Sequence, residues 1–183
     1  SLALAISGPG DEILVPDPCY PIHMWGFVIA GAKIVKVKNH NFKDFLQRVK
    51  KHVETSKKKP LAIVVNYPSN PTSETVSLDF YEELVEFCKF HGIYIISDLA
   101  YAEIYFSNTP PPSILQVKGA KDIAIEFTSV SKTYSMAGWR IGFAAGSRTL
   151  IAALEKMKSF LDYGIFTPVQ IAATVAINDT EDY

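Results

Sequence analysis

Three polar clusters in the chain carry side chains that could do chemistry together. Asn70-Pro71-Thr72, Asp98-Leu99-Ala100-Tyr101 and Ser129-Val130-Ser131-Lys132 each follow an apolar run, and Arg140 lies eight residues beyond Lys132. The set holds an amine, a carboxylate, a phenol, hydroxyls and a guanidinium. A positioned amine can bond a carbonyl or carry a proton, and the planar guanidinium fork suits phosphate oxygens. Each residue alone has a plainer use. Lys132 reads as a solvated charge, Asp98 as a cap or turn residue, and Asn70-Pro71 as a turn. Arg140 reads as half of a structural salt bridge, Ser129 and Ser131 as hydroxyls bonding loop backbone. The case for function rests on whether the clusters converge.

The elements between them argue that they do. Short apolar runs at Ile13-Leu14-Val15, Lys33 to Val37, Leu61 to Val65, Ile93 to Ile96, Ile123 to Phe127 and Ile141 to Ala145 read as strands. Their continuous rather than alternating character predicts burial on both faces. Helical stripes lie between: Phe42, Phe45, Leu46, Val49 and Val53; Phe80, Leu84, Phe87 and Cys88; Leu150, Leu154, Met157 and Leu161. Ser77 is placed to cap the second, with Asp79 and Glu82 near its positive end and Gly92 past its finish. Thr167-Pro168-Val169-Gln170 reads as a Thr cap, a first-position proline and a capping-box Gln. Strands separated by helix-length segments predict an α/β fold, a three-layer αβα arrangement around a mostly parallel sheet. In such sheets ligands bind outside the carboxyl ends of the strands. All three clusters fall at such ends, so the spacing predicts that they meet on one edge.

Composition sets the frame. At 183 residues the chain has the length of one domain, at about 100–200 residues per domain. With 48% hydrophobic and 20% charged residues it has a globular composition, and a net charge of −1 leaves no electrostatic footprint for nucleic acid. Lys57-Lys58-Lys59-Pro60 reads as a solvated turn before a strand. Cys19 and Cys88 show neither metal-type spacing nor a disulfide framework, which suits a reducing cytoplasm. No apolar run approaches the roughly 18 residues of a membrane span, and no signal peptide is visible. Ser1 to Ile6 reads as the end of a helix already under way, without an initiator Met, so the sequence is expected to be a piece of a longer protein.

Asn70-Pro71-Thr72, Asp98-Leu99-Ala100-Tyr101, Ser129-Val130-Ser131-Lys132 and Gly138-Trp139-Arg140-Ile141-Gly142, in this order and spacing, resemble the class I/II aminotransferases, pyridoxal-phosphate (PLP) enzymes of type I fold. The resemblance covers essentially the whole chain. It implies that Lys132 forms the internal Schiff base with PLP and later shuttles the proton at the substrate α-carbon. It implies that Asp98 pairs with the pyridine nitrogen, and that Tyr101 and Asn70 hydrogen-bond the phenolic oxygen. Ser129 and Arg140 are implied to hold the phosphate, and Tyr20, in Pro18-Cys19-Tyr20-Pro21, to stack on the ring. His23 reads as a helix-face histidine. Ser73 stands where many relatives have Gly after Asn-Pro-Thr, which predicts a slightly different loop.

The resemblance further implies that residues 1–183 are the central part of the PLP-binding large domain. The upstream phosphate loop and the C-terminal small domain then lie outside the chain, and the full-length protein is a homodimer acting on amino acids and 2-oxo acids. Asp98 to Ile104, Met136 to Phe143 and Asp162-Tyr163-Gly164 are similar to bacterial alanine (glutamate–pyruvate) aminotransferases, and LL-diaminopimelate aminotransferases look related over the same segments. Alanine is therefore the expected amino donor, with aspartate or LL-diaminopimelate as alternatives. The same fold also hosts carbon–sulfur lyases and effector domains of transcription regulators, and both readings stay open at this point.

Overall fold

The computed structural model describes residues 1–39 and 41–179. The apolar runs become six strands: β1 (Glu12–Asp17), β2 (Lys33–Lys38), β3 (Ala62–Asn66), β4 (Tyr94–Asp98), β5 (Ala124–Ser129) and β6 (Gly142–Gly146). They form one sheet in the order β2-β1-β3-β4-β5-β6. The first five are parallel, and β6 runs antiparallel to β5. The helices are α1 (Leu2–Ile6), α2 (Pro21–Ile29), α3 (Phe42–Thr55), α4 (Leu78–His91), α5 (Ala120–Ile123), α6 (Val130–Thr133), α7 (Arg148–Leu161) and α8 (Thr167–Asn178).

Strand side chains alternate between faces, and both faces are covered. Leu14, Ile63, Val65, Ile95 and Ala124 pack with Phe45, Leu46 and Val49 of α3 and Tyr81, Leu84 and Cys88 of α4. Ile13, Val15, Val64, Ile96 and Ile125 pack with Leu2 of α1, Phe27 of α2 and Leu150 of α7. This is the expected three-layer arrangement. Each fully buried aliphatic side chain contributes about 1.5–3 kcal/mol. One buried acid sits among them: Glu12 of β1 accepts from Lys33 Nζ at 2.9 Å and His52 Nε2 at 2.6 Å. Helix ends follow their signals. Ser77 Oγ accepts from Phe80 N at 3.4 Å, and Gly92 closes α4 at φ +63°.

The chain order reverses between β1 and β3. These two strands pair only at Ile13↔Ala62 and Leu14↔Ile63, whereas β3 and β4 pair through to Asn66↔Asp98. The carboxyl ends of β1 and β3 are therefore the topological switch point, the place where such sheets bind ligands.

Four expectations need correction. The strands expected at 61–65, 93–96, 123–127 and 141–145 each start one residue later, and Ile123 closes α5 instead. Pairing runs to the sheet's carboxyl edge, so Asn66, Asp98 and Ser129 lie within strands. Burial on both faces fails for both edge strands: β2 buries only Val37, and in β6 Phe143 is 42% exposed. The β6 glycines serve close approach: a Cβ on Gly142 would stand 2.6 Å from the Thr128 carbonyl oxygen, and one on Gly146 2.2 Å from that of Ala124. Thr167 does not cap α8. Phe166 occupies the cap position, and the Gln170 amide donates to the Ile165 carbonyl at 2.6 Å in place of a capping box.

Candidate active site

Asp98 is the last residue of β4. Its Oδ1 accepts from Ala100 N at 3.1 Å, and its Oδ2 lies 2.7 Å from His23 Nε2. A carboxylate only accepts, so the imidazole donates. His23 lies in the first turn of α2, where Pro21 presets the backbone angle and Tyr20 occupies the cap position. The histidine is buried, and its Nδ1 has no hydrogen-bond partner among the described residues. It is a helix-face residue as expected, but the face it occupies points at Asp98. Tyr20 stands edge-on to His23, ring centroids 5.6 Å apart at 81°.

Asn66 ends β3 and joins two clusters. Its side-chain amide donates to the Asp98 carbonyl at 2.9 Å and to the Pro68 carbonyl at 3.2 Å, while its Oδ1 accepts from Asn70 N at 2.8 Å. The loop carrying Asn70 is thereby tied to the strand end carrying Asp98. Ser73, in the same loop, adopts φ +59°. That conformation is costly for any residue with a Cβ, which gives the physical reason a glycine suits this position.

Ser129 ends β5 and caps α6: its Oγ accepts from Ser131 N at 3.1 Å and donates to the Ile141 carbonyl at 3.3 Å. Lys132 follows on α6, exposed, with Nζ 5.6 Å from the centroid of the Tyr101 ring. Arg140 sits at φ +54° after a 3-10 turn, Ala137–Trp139, and one guanidinium nitrogen donates to the Ala137 carbonyl at 2.8 Å.

A cavity of about 820 Å³ is lined by His23, Asp98, Thr128, Ser129, Arg140 and Gly142, among others. Asn70 and Tyr101 line a second cavity, of about 910 Å³. The structure thus gathers Asp98, Ser129 and Arg140 around one space and Asn70 and Tyr101 around another, with the Lys132 amine over the Tyr101 ring. Tyr20 lines neither cavity and meets the site through His23. The sequence reading named His23 without its link to Asp98, and did not single out Asn66. His23 was readable as the residue one helical turn after Tyr20. Asn66 was readable as an amide ending an apolar strand, two residues before a proline.

The model of the family "Aminotransferase class I and II" matches residues 1–183. Members of that family use pyridoxal 5'-phosphate. A putative aminotransferase AatC of Rhizobium meliloti is 53% identical over 97% of this chain and 44% of its own length. Glutamate-pyruvate aminotransferase AlaC of Escherichia coli is 46% identical over 96% of this chain and 43% of its own. An LL-diaminopimelate aminotransferase of Aquifex aeolicus is 48% identical over 98% of this chain and 46% of its own. The solved structure of apo BacF from Bacillus subtilis superposes with a TM-score of 0.90 at 33% identity, over 97% of this chain and 47% of that one. The chain therefore spans less than half the length of these proteins.

Proposed function

This chain belongs to the class I and II aminotransferases, and we propose that the protein containing it transfers an amino group between an L-amino acid, best alanine, and 2-oxoglutarate. Residues 1–183 are then the central part of its cofactor-binding large domain, and the full-length protein works as a cytoplasmic homodimer. The observation that carries the reading is the Asp98 carboxylate at the end of β4, facing the same cavity as Ser129 and Arg140, with the Lys132 amine at the end of the next strand.

The donor set suits pyridoxal phosphate. An anionic oxygen meets a ring N–H, a guanidinium and a hydroxyl meet a phosphate, and an amine meets a carbonyl. When bound, the cofactor supplies an electron sink for the carbanion at the substrate α-carbon. Asp98 would hold the ring nitrogen, and His23 restricts which way that carboxylate turns. Tyr101 and Asn70 would donate to the phenolic oxygen, Arg140 and Ser129 would hold the phosphate, and Tyr20 would pack on the ring. Lys132 would be the covalent attachment point, and its amine would move the proton at the substrate α-carbon. A base so positioned is worth about 10²–10⁴-fold in rate.

Alanine is preferred on the resemblance of Asp98 to Ile104, Met136 to Phe143 and Asp162-Tyr163-Gly164 to the alanine enzymes, and the AlaC protein, a glutamate-pyruvate enzyme by name, is 46% identical. The Aquifex relative supports LL-diaminopimelate as the second reading. The test uses the full-length protein loaded with cofactor, followed through the visible absorption of the bound cofactor. L-Alanine, L-aspartate and LL-diaminopimelate are added separately, with no oxo acid present. Rapid loss of the band with alanine is the expected result. Loss only with diaminopimelate or aspartate replaces the donor. Pyruvate and ammonia released from cystathionine without an acceptor would make the protein a carbon–sulfur lyase instead.

A further inference from the structure

One buried carboxylate on the same sheet is used by nothing above. Glu126 lies in β5 and is 7% exposed. Its register partner across β4 is Ser97, the residue before Asp98. Glu126 Oε2 accepts from Ser97 Oγ at 3.1 Å and from Ile114 N at 3.1 Å, and Oε1 accepts from Ser113 Oγ at 2.5 Å. All three donors are neutral. Burying a carboxylate costs free energy unless it is hydrogen-bonded, so the arrangement calls for a return beyond core packing.

The donors identify what is being held. Ser97 immediately precedes the long excursion that leaves β4 with Asp98. Ser113 and Ile114 are where that excursion comes back, in a 3-10 turn over Ile114–Gln116. Between them, residues 99–112 carry Tyr101 and supply Ile104, Tyr105 and Phe106 to the wall of the cavity that Asn70 also lines. Pro110, Pro111 and Pro112 have no N–H to fasten the returning limb, and the Ser107 hydroxyl bonds within the loop, to the Thr109 carbonyl. The first residue of the return with donors to offer is Ser113, and both its hydroxyl and the next backbone N–H go to Glu126.

We infer that Glu126 is a positioning residue: one carboxylate clasps both ends of the 98–113 loop and so fixes Tyr101 and Asp98 relative to the strand that delivers Lys132. Its bearing on the reaction rests on the roles assigned to Tyr101 and Asp98 above, while the clasp itself does not.

The test uses the full-length protein with pyridoxal phosphate bound and the variants Glu126→Gln, Ser113→Ala and Tyr101→Phe. Two readouts are taken: amide hydrogen exchange of peptides covering 99–112, and the position of the visible cofactor band. Ser113→Ala removes the hydroxyl's bond to Glu126 together with its cap on Leu115 N at 3.1 Å, and is expected to speed exchange in 99–112 by about tenfold or more, with β1 and β3 unchanged. Glu126→Gln should do so by more, and both should move the band in the direction that Tyr101→Phe moves it. The clasp is overturned if exchange in 99–112 stays within about twofold of wild type, or if it rises equally across the whole sheet, the mark of a merely structural role. If exchange rises while the band stays put and Tyr101→Phe does shift it, the positioning role is overturned. If Tyr101→Phe itself leaves the band unmoved, the reading of Tyr101 fails, and loop exchange still decides the clasp. Should Glu126→Gln not fold, Ser113→Ala decides alone.

Discussion

Replacing His23 by Phe isolates the hydrogen bond that orients Asp98. A flat aromatic ring is kept, somewhat larger than the imidazole, and the 2.7 Å contact to Oδ2 is lost. A hydrogen bond to a charged group contributes about 1.5–3 kcal/mol. Two features lower that figure here. The Asp98 side chain is 25% exposed, so water can reach the freed oxygen through the cavity. Nδ1 of His23 is buried without a partner among the described residues, so the variant also removes an unsatisfied polar atom. The net expectation is a loss of about 1–2 kcal/mol in the unfolding free energy of the cofactor-free, full-length protein, measured by urea titration. With Oδ2 free, the Asp98 carboxylate keeps, among the described residues, only the Ala100 N anchor, and pyridoxal phosphate affinity should fall by about tenfold, equivalent to about 1.4 kcal/mol. A double-mutant cycle with Asp98→Asn separates the pair from its surroundings. A coupling energy below about 0.5 kcal/mol, together with unchanged cofactor affinity, would falsify the claim that His23 acts through Asp98.

Three further outcomes follow from the backbone and the buried acid. Ser73→Gly relieves a left-handed conformation costing about 1–2 kcal/mol and adds unfolded-chain entropy worth about 0.4–1 kcal/mol, so a net gain of about 1 kcal/mol is expected; a lower thermal midpoint would contradict it. Gly146→Ala places a Cβ 2.2 Å from the Ala124 carbonyl oxygen at φ +133°, and strain plus overpacking should cost about 3 kcal/mol or more; near-wild-type stability would mean that β5 and β6 do not approach as described. For Glu12, burial pushes the carboxyl up, but the hydrogen bonds and charges of His52 and Lys33 outweigh it and hold the group below its ordinary value of 4.5. Its folded value is depressed, so its contribution is fully present above 4.5 and is lost as pH falls through the folded value. Urea midpoints of wild type and Glu12→Gln should therefore differ most near about pH 6 and converge toward about pH 3, and a constant gap across that range would remove the carboxylate from the account.

Much of the sheet was legible because its signals are local. Leu61 to Val65 and Ile93 to Ile96 are apolar runs of strand length, and Ser77 with Gly92 brackets α4 by chemistry that acts within one turn. The one-residue shifts of the strands were not legible, because a strand ends where its neighbour stops pairing and not where its own apolar run stops. Asn66 and Asp98 remain in the sheet because they pair with each other across β3 and β4, a fact about two segments. The exposure of β6 was hidden for the same reason. Ile141 to Ala145 reads as a buried run, yet β6 is the last strand of the sheet and its small residues serve the approach to β5.

The candidate site divides along the same line. Lys132, Asp98, Tyr101, Asn70, Ser129 and Arg140 could be nominated from the sequence because each sits next to a strand end, and the parallel topology sends those ends to one edge. The residues that hold them in place could not be nominated in that way. His23 reaches Asp98 across 75 positions and Glu126 reaches Ser97 across 29, and neither has a neighbour in the sequence that announces its partner. Groups that would touch a cofactor must lie at the sheet's carboxyl edge, after a parallel strand or, like Arg140, before the antiparallel β6, and this constrains their place in the sequence. Groups that orient them need only be within hydrogen-bond reach, and any element packed against the sheet can supply one. His23 comes from a helix on one face and Ser113 from a loop on the other, yet each fixes the same short segment from Ser97 to Tyr101. Disturbing either should therefore reach the candidate site while leaving intact every residue proposed to touch the cofactor.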